Sequence, residues 1–336
     1  MKLAVLGLGF MGSTHLKAMR SVPGAQLAAV YSSDARKLAG DLSGIAGNLG
    51  GSGEQMDFAG VAAYSDLDRL LADPAIEAVD LCLPTHLHET VAIAALRAGK
   101  HVLVEKPISL DGAGADRMVE EARRAGRVLM AAHVLRFWPE YQTLRQAVKS
   151  GDLGPLRFAL LRRRCAAPGW SKWLGDSAKS GGGVFDLLIH DVDMCLHLFG
   201  MPDNVSAAGY EDLPAGIDCI GSRLTYGDAC VVVTGGWHHP GEYPFSMEFT
   251  VTMDRATLEF SSAGRPLALY GAGTLPPVPT RDAYAAEIEY FLNCCREGRQ
   301  PDLCPPTESA AAVKLMGLML EARRQKGVKL ECSNLG

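Results

Sequence analysis

Four polar residues recur on one side of an otherwise apolar segment between residues 183 and 199. Asp186 and His190 stand four positions apart, and Asp193 and His197 continue this spacing. On a helix such residues share a face, and a mostly apolar helix is buried, so this polar stripe must meet partners or a cavity. We interpret Asp186 and His190 as catalytic and the other two as structural. A polar network that only supports the fold, or a metal site on the stripe, is the alternative; our prediction includes no metal.

Lys106 is the second candidate for catalysis. Pro107 follows it and disfavours helical geometry at Lys106, so its side chain is predicted to project from the carboxyl end of a strand. Ligands bind at such strand ends in open α/β sheets. A surface lysine without a function is the alternative.

These residue types suit the oxidation of a hydroxyl group. Hydride removal from a carbinol carbon requires a base for the hydroxyl proton and a donor for the developing alkoxide. Histidine, with an ordinary pKa near 6.5, suits reversible proton transfer, which favours His190 as the base or acid. Lys106 would donate to the same oxygen and Asp186 would bind a neighbouring hydroxyl. Whether Lys106 or His190 carries the proton is left open.

A glycine motif near the start of the chain predicts a dinucleotide site. Gly7, Gly9 and Gly12 form G-x-G-x-x-G, with Phe10 and Met11 between them, after a short apolar run and before a helical stretch. In this setting the glycines allow a tight turn, close approach of the pyrophosphate and close helix–strand packing. The pyrophosphate would meet N–H groups at a helix amino terminus. A strand–helix turn without a ligand is the alternative.

The end of the second predicted strand bears on the choice of cofactor. An acid is expected there if the ribose 2′-hydroxyl of NAD is bound, but the position about 20 residues beyond the motif is Ser32. Ser33 and the cations Arg36 and Lys37 follow, and such groups would accept a 2′-phosphate. We therefore predict NADP as the favoured cofactor. Asp34 keeps NAD possible, if the strand ends two residues later.

Apolar runs alternate with helical segments in the first third of the chain. Non-alternating, buried strands separated by helices predict a parallel sheet with both faces covered. The segment 40–60 is rich in glycine and is interpreted as a surface excursion. The predicted strands are 3–6, 26–31, 78–83, 101–105 and 128–132, and the predicted helices are 12–20, 89–98 and 111–125.

The pattern changes after about residue 154. Hairpin turns at 226–228 and 254–255 between β-rich segments predict a mainly antiparallel sheet. Helices at 183–199, 282–297 and 306–325 would cover one of its faces. We expect the other, open face to be buried between subunits of a homo-oligomer, a dimer or tetramer. The predicted strands are 156–164, 219–226, 229–233, 246–253 and 256–260.

Several residues in this half are weaker candidates. The run from Arg162 to Arg164 is interpreted as solvated or at a sheet edge, and alternation would place its first and last members on one face. A subunit contact or an acidic substrate is the alternative for those two. A sugar pocket could include an arginine and aromatic rings, although each candidate alone is more often structural: His133, Arg136, Phe137, Trp170 and Trp173.

Composition excludes several functional classes. The chain has 336 residues, enough for two domains, and a net charge of −5, whereas a nucleic-acid binder normally shows a basic excess. Apolar runs stay well below the roughly 20 residues of a membrane span, so we expect no membrane partner. The 9 scattered cysteines lack metal or disulfide spacing, which predicts reduced thiols and a cytoplasmic location.

Four motifs in order along the chain resemble the Gfo/Idh/MocA oxidoreductase family. They are G-L-G-F-M-G at 7–12, L-P-T-H-L-H-E at 83–89, V-E-K-P at 104–107 and G-G-G-V-F-D-L-L-I-H-D-V-D at 181–193. The resemblance implies an N-terminal Rossmann domain, a doubly wound parallel sheet, and a C-terminal α+β domain with an open sheet. We expect these to span residues 1–132, for NAD(P) binding, and 133–336, for substrate binding and oligomerisation.

The resemblance also implies roles for individual residues. Lys106, Asp186 and His190 would be the catalytic set, with a cis bond after the lysine. Additional cofactor contacts would come from Pro84, Thr85, His88, Glu105 and Lys106, the histidine and threonine near the nicotinamide and the glutamate beside the ribose. The implied activity is hydride transfer between a nicotinamide cofactor and a sugar, inositol or related polyol. A glycoside-cleaving enzyme with transient oxidation and a non-catalytic sugar sensor are the alternatives.

Overall fold

Six parallel strands form the first sheet, in the order β3-β2-β1-β4-β5-β6. β1, β4, β5 and β6 are buried along almost their whole length, as expected for a parallel sheet with helices on both faces. The ranges are β1 (Lys2–Leu6), β2 (Gln26–Tyr31), β3 (Ala62–Tyr64), β4 (Ala78–Leu81), β5 (His101–Glu105) and β6 (Leu129–Ala132). This order is the doubly wound Rossmann arrangement that we predicted, and its ligand crevice lies at the carboxyl ends of β1 and β4, where the strand order reverses.

Local signals account for the helix ends in this part of the chain. The Asp111 side chain accepts a hydrogen bond from the Gly114 N–H at the start of one helix, and Gly126, with φ +61°, ends it. The helices here are α1 (Phe10–Met19), α2 (Ala35–Leu38), α3 (Leu67–Ala72), α4 (His88–Arg97) and α5 (Gly112–Ala125).

The second sheet has eight strands in the order β13-β12-β11-β7-β10-β9-β8-β14. The predicted turns join antiparallel pairs, β9 with β10 and β11 with β12, whereas β7 and β10 are parallel. β8, β13 and β14 add to the predicted strands. The ranges are β7 (Leu156–Ala166), β8 (Asn204–Asp212), β9 (Ile217–Tyr226), β10 (Ala229–His239), β11 (Ser246–Met253), β12 (Ala256–Ser261), β13 (Arg265–Gly271) and β14 (Leu330–Glu331).

The remaining helices divide between the two halves of the fold. α8 packs against β7, β9 and β10, and every second residue of β7 from Ala159 to Cys165 is buried. Contrary to our prediction, α9 does not join the helices of the second sheet but packs against α1. The ranges are α6 (Pro139–Lys149), α7 (Ser177–Ser180), α8 (Gly183–Phe199), α9 (Ala283–Glu297) and α10 (Pro306–Arg324).

The computed structural model describes residues 1–47, 53–333 and 335. The chain divides into a first unit, Met1–Val134 with Arg281–Ala310, and a second unit, Leu135–Thr280 with Ala311–Gly336. These units differ from the predicted division at residues 132 and 133 chiefly because the segment around α9 belongs to the first unit. Part of the predicted excursion at 40–60, residues 48–52, lies outside the described residues.

All 9 cysteines lie in the described part of the chain, and none of them forms a disulfide bond there. Among the described helices, none combines the length and the hydropathy needed to cross a membrane.

Candidate active site

The three glycines of the motif differ in what surrounds them. A Cβ built on Gly7, where φ is +99°, would lie 2.4 Å from the Cys82 carbonyl oxygen, and one on Gly12 would lie 1.9 Å from the Gly7 carbonyl oxygen. Packing within the protein therefore requires both glycines. A Cβ on Gly9 would meet no atom within 4 Å. The open space at Gly9 is a cradle that a side chain would fill, and it fits the pyrophosphate of a dinucleotide.

The cradle opens onto the amino end of α1. Gly9 is the N-cap of this helix, no side chain caps it, and Phe10 and Met11 form its first turn. Backbone N–H groups and the helix dipole favour an anion at such an end. The phosphate-binding chemistry predicted from the motif is thus available at the carboxyl end of β1.

Ser32 directly follows β2, which ends at Tyr31 as predicted. Its N–H donates to the Tyr64 carbonyl at 3.1 Å, and its hydroxyl accepts from the Asp34 N–H at 3.1 Å. Ser33, the next residue, is exposed. The strand register therefore leaves a serine at the position where an acid would bind the ribose of NAD.

The Asp34 carboxylate is hydrogen-bonded within its own turn. Its carboxylate caps α2 by accepting from the Arg36 N–H at 2.9 Å, and the Arg36 guanidinium lies 3.5 Å away. The hydrogen bond from this N–H lowers the pKa of Asp34. Lys37, half-buried, stands one residue further along α2.

His88 joins the segments that follow β4 and β5. It is the first residue of α4 and is 1% exposed. Its Nδ1 lies 2.8 Å from the Pro107 carbonyl oxygen and its Nε2 lies 2.8 Å from the Leu83 carbonyl oxygen. Burial lowers the pKa of His88. Both ring nitrogens are engaged by backbone, so the ring supports these segments rather than presenting a nitrogen to a nucleotide.

Pro84 and Thr85 precede His88 in the same segment after β4. Thr85 begins a short 3-10 turn, Thr85–Leu87, and is 2% exposed. Pro84 precedes the turn in extended geometry and shapes the segment after β4.

Glu105 ends β5, and Lys106 directly follows it. The Glu105 side chain is buried, and its Oε2 accepts a hydrogen bond from the Lys106 N–H at 3.1 Å. Lys106 is half-buried, and its bond to Pro107 is cis, as the resemblance implied. The ammonium-bearing residue therefore stands at the carboxyl edge of the sheet, where we predicted it.

A buried polar cluster that we did not single out from the sequence lies behind these residues. His15, on α1, has its Nδ1 2.8 Å from Asp80 Oδ2 and its Nε2 3.2 Å from Glu105 Oε1. The Cys82 sulfur lies 3.6 Å from the same Nδ1. The only sequence signal was a histidine one turn beyond the glycine motif.

The cluster has ligand types that metals use, and the ligand atoms of His15, Asp80 and Cys82 lie within 4.8 Å of one another. Burial raises the pKa of the Cys82 thiol, and the nearby Asp80 carboxylate raises it further. A thiol held neutral is a poor metal ligand, so the chemistry favours an ion-pair network.

In the second unit, α8 carries the predicted polar stripe. Asp186 and His190 lie one turn apart and are half-buried, whereas Asp193 and His197 are buried. A Cβ on Gly183 would lie 2.5 Å from the Trp237 ring, so the start of α8 packs on the end of β10.

Asp193 is held by an arginine from the list of sugar-pocket candidates. Arg136 Nε and Nη2 donate to its two carboxylate oxygens at 2.9 and 2.7 Å, and both side chains are enclosed. The pair agrees with the structural role predicted for Asp193. The enclosed guanidinium of Arg136 agrees with the structural role that the sequence analysis favours for each of these candidates.

The interpretation of the run from Arg162 to Arg164 also needs correction. β7 is a central strand, not an edge, and Arg163 is 3% exposed with its guanidinium paired to Asp191 at 2.7 Å. Arg162 and Arg164 share the opposite face, as alternation predicts. Both donate to Glu248 Oε1, at 2.7 and 2.9 Å.

The predicted catalytic residues thus belong to different units. Lys106 stands with the glycine motif and Glu105 in the first unit, and Asp186 and His190 stand together on α8 in the second.

Comparison with known protein families gives two matches, one to an N-terminal segment and one to a later segment of the chain. Residues 1–133 match a family model described as "Oxidoreductase family, NAD-binding Rossmann fold", and residues 141–259 match the "GFO/IDH/MocA C-terminal domain". The two matches together span most of the chain.

Named relatives include two dehydrogenases. The chain is 33% identical to myo-inositol 2-dehydrogenase of Thermotoga maritima over 60% of its own length and 55% of that protein. It is 29% identical to UDP-N-acetylglucosamine 3-dehydrogenase of Acidithiobacillus ferrooxidans over 96% of both chains. The chain thus spans about half of one relative and nearly all of the other.

A solved structure shows the same fold. Levoglucosan dehydrogenase, in complex with NADH and levoglucosan, matches with a TM-score of 0.82 at 18% identity, covering 99% of this chain and 100% of that one.

Proposed function

Because the chain belongs to the Gfo/Idh/MocA family of oxidoreductases, we propose that it catalyses NAD(P)-dependent hydride transfer at a hydroxyl-bearing carbon of a sugar, inositol or glycoside. One observation carries this proposal. The open space at Gly9, before an uncapped helix at the switch point of the first sheet, fits a dinucleotide pyrophosphate. The relatives named for an inositol and a UDP-linked sugar support the substrate class.

The residues of the chain supply binding and proton transfer. The motif glycines and the first turn of α1 would hold the pyrophosphate, and Glu105 would border the ribose. When bound, the nicotinamide supplies the site that takes up or delivers the hydride. Lys106 donates to the substrate oxygen, His190 exchanges its proton, and Asp186 binds a neighbouring hydroxyl.

NADP is the preferred cofactor in this proposal. Ser32 stands at the end of β2, and Asp34 is committed to capping α2. Ser33, Arg36 and Lys37 offer hydroxyl donors and positive charge to a 2′-phosphate. A carboxylate at the strand end would instead repel it.

The open face of the second sheet supports an oligomeric assembly, and the scattered cysteines, none in a disulfide bond, support a cytoplasmic location. Phe158 is 40% exposed on β7, and Tyr270 is 57% exposed on β13. Such apolar surface on a sheet is commonly buried between subunits. Light scattering at micromolar concentration should report a dimer or tetramer, and a monomer would contradict the assembly.

The decisive experiment screens sugars, inositols and glycosides for absorbance change at 340 nm with each cofactor. Hydride transfer predicts net formation or loss of reduced nucleotide with at least one substrate. Cleavage of a glycoside without net absorbance change would replace this proposal by the transient-oxidation alternative. Binding of nucleotide and sugar without any turnover would indicate a sensor.

A further inference from the structure

The cluster around His15 ties three parts of the nucleotide unit together. The histidine lies on α1, one turn after Gly12 of the glycine motif. Asp80 lies on β4 and Glu105 ends β5. His15 and Asp80 are 0% exposed and Glu105 is 5% exposed. One imidazole ring therefore connects the phosphate-binding helix to two strand ends, inside a single compact unit.

The contacts on both sides of the ring determine its protonation. Asp80 faces Nδ1 at 2.8 Å and Glu105 faces Nε2 at 3.2 Å. Ionised carboxylates only accept hydrogen bonds, so a neutral ring would direct one bare nitrogen at a negative charge. The imidazolium form places a positive charge between the two carboxylates, and this arrangement favours that form over the neutral ring.

The electrostatics agree with this geometry. Burial by itself would lower the pKa of His15, but the charge of the Asp80 carboxylate and its hydrogen bond to the ring raise the pKa well above the ordinary value. Burial would raise the pKa of Glu105, yet His15 foremost, together with Lys106, lowers it. Asp80 thus favours the charged form of His15, and His15 favours the charged form of Glu105.

We propose that His15 is a positioning residue, which fixes the Glu105 carboxylate and through it the main chain at Lys106. The link is the Glu105 Oε2 atom, which accepts the Lys106 N–H at 3.1 Å. While Glu105 is ionised and held by the imidazolium, the backbone before Pro107 has a fixed acceptor. The consequence for catalysis rests on the role proposed above for Lys106.

Other titratable groups near the His15 cluster lie on or next to the elements that surround it. They do not replace His15 as the cation between the carboxylates. Burial raises the pKa values of the Cys82 thiol and the Tyr284 phenol, which keeps both neutral, and burial lowers the pKa of His88. These groups are Cys82 directly after β4, His88 on α4, Lys106 after β5, and Tyr284 on α9, whose ring centroid lies 6.0 Å from that of His15.

The pH dependence follows from the directions of the two shifts. A histidine with a raised pKa contributes stability that is full below its ordinary value and is lost as pH rises through the higher folded value. A carboxyl with a lowered pKa contributes stability above its ordinary value and loses it as pH falls through the lower folded value. The network is therefore intact from mildly acidic to mildly alkaline pH.

The test follows the backbone amide resonance of Lys106 through a pH titration by NMR. In His15→Gln the Glu105 carboxyl loses an opposite charge within about 4–6 Å, which typically moves a carboxyl pKa by 1–3 units. We expect the amide to titrate about one pH unit or more higher in this variant than in the wild type. In His15→Gln/Glu105→Gln the acid titration should disappear. An unchanged amide titration in His15→Gln overturns the proposal.

The charge on His15 is tested separately by ring-nitrogen shifts of labelled histidine. We expect both nitrogens of His15 to be protonated at pH 8, and an ordinary titration near 6.5 would count against the proposal. If His15→Gln does not fold, Asp80→Asn should lower the pKa of His15 in the same spectra, and no change would be contrary evidence. His238→Gln, at an exposed position in the second unit, serves as the matched control. Bound zinc in the wild type that His15→Gln loses would replace the ion pair by a metal site.

Activity then separates this proposal from the proposed function. With the best substrate of the screen, kcat of His15→Gln relative to the wild type should fall about tenfold as the pH decreases through the amide titration of this variant, and should approach the wild-type value above it. If no substrate turns over, the proposed function fails, but the amide and ring titrations still decide the role of His15. A pH-independent loss of kcat would contradict the positioning role.

Discussion

Both units of the protein bury charged side chains, but they enclose them differently. In the second unit, Arg136 with Asp193 and Arg163 with Asp191 form two-point ion pairs within the packed interior. In the first unit, the His15 cluster ends at Glu105, whose second oxygen holds the N–H of Lys106 at the sheet edge.

This difference distinguishes buried charges that only stabilise the fold from those whose network reaches a proposed ligand site. A guanidinium stays charged at every pH that the folded protein meets, and its planar fork matches a carboxylate, so the pairs in the second unit are fixed. An imidazolium exchanges its proton at accessible pH, and the network it holds reaches a predicted catalytic residue. A buried charge is a candidate for function when its network ends at a ligand-binding edge.

The same contrast appears along α8. Asp186 and His190, which we propose as catalytic, lie in its first half and are half-buried. Asp191 and Asp193 follow directly and are fully enclosed by arginines. The two predicted catalytic residues and the two enclosed carboxylates thus share one helix and differ in burial.

Breaking a fully buried ion pair should have the largest effect, a loss of folding stability. Arg163→Met leaves the Asp191 carboxylate buried without its partner, which we expect to lower the free energy of unfolding by about 3–5 kcal/mol. Urea denaturation measures the change. The variant Arg163→Met/Asp191→Leu should recover most of it, because no uncompensated charge remains.

Arg157 provides the matched control on the same strand. Its pair with Asp254 at 2.8 Å is about half exposed, at 53% and 48%. Arg157→Met should therefore cost less than about 1 kcal/mol. Equal losses for Arg157→Met and Arg163→Met would show that enclosure does not distinguish these pairs.

Removing one predicted catalytic group from each unit should have the next largest effect. Lys106→Ala and His190→Ala should each lower kcat by about 10²-fold or more, because each removes a partner of the reacting oxygen. Nucleotide Kd should change little. Steady-state kinetics with the best substrate of the screen, beside titration calorimetry, makes the measurement.

The exposed Lys149, at the end of α6, supplies the control, since Lys149→Ala should keep full turnover. Near-normal turnover in Lys106→Ala or in His190→Ala would remove that residue from the mechanism.

Changing Ser32, at the end of β2, should have the smallest effect, a shift in the relative affinity for NADP and NAD. The wild type should bind NADP about tenfold tighter than NAD, since charge-assisted hydrogen bonds contribute about 1.5–3 kcal/mol each before desolvation. Ser32→Asp should reverse the order. Calorimetric titration with both cofactors measures it.

Asp34→Asn tests the competing ligand. It should leave NAD affinity nearly unchanged, because Asp34 is engaged in capping α2. Tighter binding of NAD by the wild type, lost in Asp34→Asn, would make Asp34 the ribose ligand.

Local chemistry in the sequence determined the elements and their ends. β2, β5 and β11 have the predicted bounds, and α8 runs over the predicted residues 183–199. Pro107 and Gly126 mark ends that depend only on backbone geometry near each residue, whereas β4 ends at Leu81, two residues before the end that Pro84 predicted. The G-x-G-x-x-G motif and the switch-point sheet followed from the same kind of signal.

Long-range packing decided the rest. Whether a run of arginines lies at an edge or in a central strand depends on which strands pair, and β7 pairs with β10 and β11 from distant parts of the chain. The placement of α9 beside α1, and the meeting of His15 with Asp80 and Glu105, likewise join residues far apart in sequence. Spacing and propensity describe neighbours along the chain, whereas burial and charge pairing are set by contacts that form only when the sheets close.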